Sequence, residues 1–153
     1  MEKKKIKICI ASSAGGHLTE ILQLKNLYSK YEHFYLSDYR TNAIDLSKKE
    51  KMYFVTCPRR NPLKLIASFF QSLQIFFHEQ PDIVLSTGAD TAFSICLITK
   101  LFRKKLIFIE SFARIEEPSL SGKIFYPISD LFFIQWRENK KFFPNAIYAG
   151  PVF

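Results

Sequence analysis

The stretch Ala11-Ser12-Ser13-Ala14-Gly15-Gly16-His17 constrains this chain more than any other. An apolar strand over residues 6–10 runs into it, and an amphipathic helix over 18–24 leaves it. A strand, a turn of small residues and a helix start form the βα unit whose turn aims backbone N–H groups at an anion. Gly15 and Gly16 permit positive φ and a close approach of a ligand to the backbone. His17 stands where the helix begins; the dipole there disfavours an imidazolium and leaves a neutral ring able to accept a proton. A tight turn capped by a histidine is the plainer reading, and this stretch alone does not separate the two.

The same alternation continues down the chain. Apolar runs predict strands over 33–37, 52–56, 81–86, 105–109, 130–134 and 146–149. Helices are expected over 62–78 and 91–102, with a short one near 121–126 and a helical turn over 138–143. Residues 38–50 are polar and read as a loop with a helical turn, and Pro62 is placed to be the first residue of its helix. Strands alternating with helices make a Rossmann-like α/β fold, a doubly wound parallel sheet. Such sheets bind ligands at the carboxyl ends of their strands. Three groups fall there: the turn with Ser13, Gly15, Gly16 and His17; a second small-residue turn, Ser86-Thr87-Gly88-Ala89; and Glu110, followed by Arg114. Ser86 and Thr87 either orient ligand hydroxyls or cap a βα turn. Glu110 is either a reactive carboxylate or one buried against Arg114 or a helix start.

A length of 153 residues makes one domain, and 48% hydrophobic residues exclude disorder. The net charge of +8, with 16 Phe and 7 Tyr, points to an anionic membrane, a phosphorylated ligand or nucleic acid. Nucleic acid ranks last, because no arginine-rich tract or aromatic RNA-binding signature is present. Cys9, Cys57 and Cys96 are far apart and form no C-x-x-C pair, so no zinc site is expected. The charged start, Met1-Glu2-Lys3-Lys4-Lys5, leads into a strand rather than a signal-peptide apolar region. No apolar run reaches transmembrane length. The expected location is the cytoplasm, on the membrane face.

The helix over 62–78 supports that location. Leu65, Ile66, Phe69, Phe70, Leu73, Phe76 and Phe77 form an apolar stripe, broadened by Leu63 and Ile75 beyond one buried face. Arg59, Arg60 and Lys64 gather at its N-terminus, the end where the dipole disfavours cations. Charges so placed suit lipid headgroups. The alternative is an ordinary core helix with solvated arginines.

Taken together, the motifs resemble one family. They run in order as Ser13-Ala14-Gly15-Gly16-His17-Leu18-Thr19-Glu20, Pro81 through Ala89, Ile107 through Arg114, Pro118 through Lys123, Asp130-Leu131-Phe132, Gln135-Trp136 and Tyr148 through Phe153. This arrangement resembles the acceptor-side subunit of split, two-chain glycosyltransferases. The eukaryotic member anchors the N-acetylglucosaminyltransferase acting on dolichol-linked oligosaccharide; bacterial members serve capsular and exopolysaccharide synthesis. The resemblance implies one half of a GT-B fold that binds a polyprenyl-pyrophosphate-linked sugar acceptor. A partner chain would hold the nucleotide sugar, with no cofactor and no metal required. It implies His17 and Glu110 as the groups that activate or orient the acceptor hydroxyl. Eukaryotic members carry an N-terminal membrane-spanning helix that this chain lacks, so attachment is expected through a surface patch or the partner. Two other readings stand beside it. One is a non-catalytic scaffold that activates a self-sufficient partner. The other is a nicotinamide-dinucleotide module with Asp38 as the ribose-binding acid, although the turn is not G-x-G-x-x-G.

Overall fold

The structure is a computed structural model that describes residues 5–153; the charged residues Met1 to Lys4 lie outside the described part. In chain order the elements are β1 (Lys7–Ser12), α1 (Gly16–Leu22), α2 (Lys25–Tyr28), β2 (Glu32–Ser37), α3 (Thr41–Ser47) and β3 (Met52–Phe54). They continue with α4 (Pro62–Glu79), β4 (Ile83–Gly88), α5 (Asp90–Leu101), β5 (Lys105–Ile109), α6 (Leu120–Phe125) and β6 (Leu131–Ile134). A 3-10 turn (Arg137–Lys141) then leads to β7 (Ile147–Tyr148). All seven strands are parallel, in the order β3-β2-β1-β4-β5-β6-β7. The order reverses between β1 and β4, the kind of switch point at whose carboxyl side such sheets bind ligands.

Alternate side chains of the strands feed two cores. Cys9, Phe34, Val84, Leu106, Phe108, Phe132 and Ile134 meet α4, α5 and α6 on one face. Ile8, Ile10 and Tyr35 meet α1 and α2 on the other, with Ala43 of α3 packed beside them. Cys9 and Cys96 are fully buried, and burial pushes both thiols up, Cys96 to about 12.

Three elements differ from the sequence reading. The first helix breaks after Leu22, and α2 follows as a separate turn. The helical turn expected within 38–50 is a full helix of seven residues, Thr41–Ser47. The third difference concerns α4, which starts as expected: Pro62 opens it, and the Asn61 side chain caps it by accepting from the amides of Leu63 and Lys64. Its buried face, however, is Ser68, Ser72, Ile75, Phe76 and Glu79. Ser94 of α5 donates to Ser68 at 3.2 Å, so small hydroxyl residues let the two helices approach closely while their polar atoms satisfy each other. The apolar stripe is thereby rotated partly outward. Phe76 is core and Phe69 half-buried, whereas Leu63 is 77%, Ile66 54%, Phe70 64% and Phe77 52% exposed. The ordinary core-helix reading therefore fails for Phe70.

Candidate functional site

The turn after β1 is built by residues from three strand ends. The register of β1 against β4 shifts between Ala11 and Ser12, which re-aims the chain entering the turn. Ser13 donates to Thr91 at the start of α5 (2.9 Å), and Thr91 donates to Asp38 at the end of β2 (3.1 Å). The same Asp38 oxygen accepts the Ala14 amide at 2.7 Å. Its other oxygen pairs with Arg40 Nε at 2.8 Å. Asn42 holds Gly15 from both sides, accepting from its N–H at 3.1 Å and donating to its carbonyl at 3.2 Å. Gly15 has φ 95, which a side chain would strain, while Gly16 opens α1 with an ordinary φ.

These bonds revise the anion cradle. The amides of Ala14 and Gly15 are already occupied by Asp38 and Asn42. What the turn presents outward is exposed Gly16, half-buried His17 and the exposed guanidinium of Arg40. Asp38 is 3% exposed and committed to three partners, so it is not the free ribose-binding acid that a dinucleotide module needs.

His17 is shaped by burial. Desolvation lowers its pKa below 6.5; the Thr87 backbone works against this, and the charge of Arg114 adds to it. The ring is neutral at pH 7 and able to take a proton. Its Nδ1 is buried without a hydrogen-bond partner among the described residues, and Thr87 Oγ1 fixes the backbone beneath it by donating to the His17 carbonyl at 3.2 Å.

The second turn is structural at its base. Ser86 is fully buried and accepts the Gly88 amide at 2.9 Å, a bond within the turn rather than a cap on α5; Thr87 is 2% exposed. A β-carbon on Gly88 would come within 2.8 Å of Ser121 Oγ. Ala89, the next residue, is held at φ 69 and ψ 169, a conformation costing about 1–3 kcal/mol and typical of functional rims. Ser13, Ser86, Thr87 and Gly88 therefore build the two turns, their polar groups bonded within them.

Glu110 is buried at a helix start, since Ser119 caps α6. It is 1% exposed, and its two oxygens accept the amides of Ser111 (3.0 Å) and Ser119 (3.3 Å). It lies against the Cα of Gly122, where any β-carbon would fall 1.9 Å from Oε2. Arg114 is exposed at the same rim, its carbonyl accepting from Asn139 at 2.7 Å.

Two residues without an assigned role hold the rim together. Glu20, one turn beyond His17, accepts from the Phe112 amide (2.8 Å), the Ser111 hydroxyl (3.3 Å) and the Gln135 side chain. Gln135 also donates to the Glu110 carbonyl (3.0 Å) and accepts from the Val152 amide (3.0 Å). Burial raises the pKa of both Glu20 and Glu110 above 4.5, partly offset by these donors. The only sequence-level signal for either was membership in the quoted motifs. Arg40 carried a clearer one, as a cation two residues beyond the acid that ends β2.

A separate surface lies at the start of α4. Arg59 and Arg60 are exposed with φ 45 and 60, consecutive left-handed residues that cost roughly 1–2 kcal/mol each. Among the described residues no acid pairs with Arg59, Arg60 or Lys64. No described helix is long and apolar enough to cross a membrane, and no described cluster of His, Cys, Asp and Glu is placed to hold a metal.

Comparison with known proteins fits this geometry. The chain is 31% identical over 170 residues to the UDP-N-acetylglucosamine transferase subunit alg14 of Schizosaccharomyces pombe, covering 91% of this chain and 80% of that one. It is 28% identical over 183 residues to the human UDP-N-acetylglucosamine transferase subunit ALG14, covering 98% and 84%. Among solved structures it superposes on Acinetobacter baumannii MurG (TM-score 0.77, 12% identity) and on UDP-N-acetylglucosamine 2-epimerase from Rickettsia bellii (TM-score 0.78, 13% identity). It covers 95% and 97% of its own length but 45% of each of theirs, so it has the fold of under half of such a chain. Residues 8–152 match the family described as oligosaccharide biosynthesis protein Alg14 like, and the chain belongs to that family.

Proposed function

We propose that this chain is the acceptor-binding subunit of a two-chain glycosyltransferase of polysaccharide biosynthesis. The observation that carries the reading is His17, neutral at pH 7 and half-buried on the Gly15-Gly16 turn at the switch point of the sheet. A partner chain holds the nucleotide sugar, which the names of the relatives give as UDP-N-acetylglucosamine. The acceptor is a sugar linked through pyrophosphate to a polyprenyl lipid. Its hydroxyl oxygen forms a bond to the anomeric carbon of the donor as the bond to the nucleotide diphosphate breaks. His17 takes the hydroxyl proton. Arg114 and Arg40, both exposed, supply cations for the acceptor's pyrophosphate, and Gly16 lets it approach the backbone. Glu110, with both oxygens engaged, acts as a positioning residue that fixes the loop carrying Arg114.

The chain docks as a peripheral protein on the anionic, cytoplasmic face of the membrane through α4. Leu63, Ile66 and Phe70 enter the interface and Arg59, Arg60 and Lys64 meet headgroups, each cation contributing about 1 kcal/mol. Exposure of Phe70 supports this, since a core helix would have hidden it.

The test is reconstitution. Co-produced with its partner chain, the protein transfers the sugar to a polyprenyl-pyrophosphate-linked acceptor on anionic vesicles, while this chain alone neither transfers nor binds UDP-N-acetylglucosamine tightly. Micromolar binding of the nucleotide sugar to this chain alone contradicts the division of labour. Binding to anionic vesicles that is unchanged by Arg59→Glu with Arg60→Glu contradicts the docking face.

A further inference from the structure

An open groove of about 220 Å³ lies between the first halves of α4 and α5, walled by Leu65, Ile66, Phe69, Phe70, Phe93 and Leu97, and its exposed lining is carbon. The only hydroxyl bordering it, Ser94, is directed to Ser68. Two features set it apart from a chance gap in an apolar surface. First, it adjoins the candidate site. Thr91, which bonds Ser13 of the turn, precedes Ser94 by one helical turn, a rise of about 4.5 Å. Second, the groove is apolar while the chain just before it is cationic: Arg59, Arg60 and Lys64 stand at and before the start of α4, next in sequence to Leu65 and Ile66, without acidic partners among the described residues. A ligand matching both is an amphiphile with an anionic head at the carboxyl end of the sheet and a hydrocarbon tail running along the helices.

We propose that this groove seats the head-proximal stretch of the isoprenoid tail of the lipid-linked acceptor. The proposal rests on the acceptor reading above and adds that the protein, and not the bilayer alone, recognises the tail. The volume is below the 300–1,000 Å³ of pockets that enclose whole drug-sized ligands, so it takes a short stretch of chain and leaves the rest to the membrane. The ring faces and edges of Phe69, Phe70 and Phe93 suit a methyl-branched chain, which fills width as well as length. Each methylene moved fully from water into such a site strengthens binding about fourfold, so a few buried carbons outweigh an exposed phosphate contact.

The experiment titrates the chain, without vesicles, with farnesyl diphosphate, inorganic pyrophosphate and farnesol, each below its aggregation concentration, by calorimetry. Farnesyl diphosphate is expected to bind at least tenfold more tightly than pyrophosphate. Ile66→Trp fills the groove from its exposed wall, where the fold is not at stake. It should abolish that advantage and leave pyrophosphate affinity within twofold. Leu101→Ser, an exposed apolar position at the far end of α5, should change neither. Equal affinity for farnesyl diphosphate and pyrophosphate overturns the proposal, as does an advantage that survives Ile66→Trp. An advantage lost equally in Leu101→Ser also overturns it, since that is adsorption to any greasy surface. If farnesol binds and Ile66→Trp removes it while pyrophosphate does not bind at all, the groove stands and the reading of the turn as a pyrophosphate site falls.

Discussion

At the amino end of the sheet Glu79 and Asp130 sit among lysines; at the carboxyl end the buried Glu20 and Glu110 sit among amides and serines. Glu79 is met by Lys7 at 3.2 Å, Lys51 at 2.6 Å and the Tyr53 hydroxyl. Asp130 is met by Lys100 at 2.7 Å, Lys105 at 3.0 Å and the Leu106 amide at 2.8 Å. Burial raises the pKa of both acids, but these donors outweigh it and hold each at about 2. Glu20 and Glu110 have no lysine partner among the described residues, and for them burial wins. Glu79 and Asp130 thus use charge to hold the fold, while Glu20 and Glu110 carry charges that the folded state disfavours. Ends that carry ligands are where such perturbed groups collect.

The largest predicted difference is in stability. Glu79→Gln removes the anion from between two lysines. It should cost about 3 kcal/mol, the low end for breaking a buried pair, because Lys51 is half exposed and can return to water. Urea midpoints at pH 7 measure it. The pH dependence follows from the lowered pKa. The stabilisation from Glu79 is complete above 4.5 and is lost as pH falls from there to about 2, so the variant should approach wild type in acid. A gap that persists at pH 2 would mean that Glu79 acts through packing and not charge.

Glu110→Gln is predicted to be smaller but still destabilising, roughly 2 kcal/mol, because both oxygens accept backbone amides and a carboxamide sets an NH₂ against one of them. Glu20→Gln is predicted to be smallest, under about 1 kcal/mol. The Ser111 hydroxyl can turn to accept the new NH₂ while the other oxygen keeps the Phe112 and Gln135 donors. The raised pKa values give the opposite sign to Glu79: ionising Glu20 opposes folding, so its contribution falls as pH climbs above 4.5. A loss from Glu20→Gln as large as that from Glu79→Gln would erase the contrast between the two ends.

What could be read in the sequence divides along similar lines. The β1–turn–α1 unit was legible because a glycine pair follows an apolar run, and the alternation of strands and helices gave the parallel sheet. Pro62 marked the start of α4 because its missing N–H suits only that position. The face that α4 buries was not legible. Hydropathy ranks Ser68 and Ser72 as outward residues, yet their small size is what lets α5 approach. The frame of the site was hidden for another reason. Glu20 and Gln135 are 115 residues apart, and Ser13 and Thr91 are 78 apart, so no local pattern announces that they meet. Glu110 was legible as a rim residue by its place after β5. Its confinement under Gly122 depends on how α6 docks, which spacing does not specify.

His17, the proposed proton acceptor, carries the most weight in the proposed reaction. That role is tested most directly by turnover of the co-purified two-chain complex across pH, wild type against His17→Ala. The variant complex is expected intact, with a kcat lower by about 10²–10⁴-fold. The wild-type acid limb is expected below 6.5, since the ring must be neutral to act and burial lowers its pKa. Near-normal turnover by an intact His17→Ala complex would contradict that role and leave the chain as a scaffold for a self-sufficient partner.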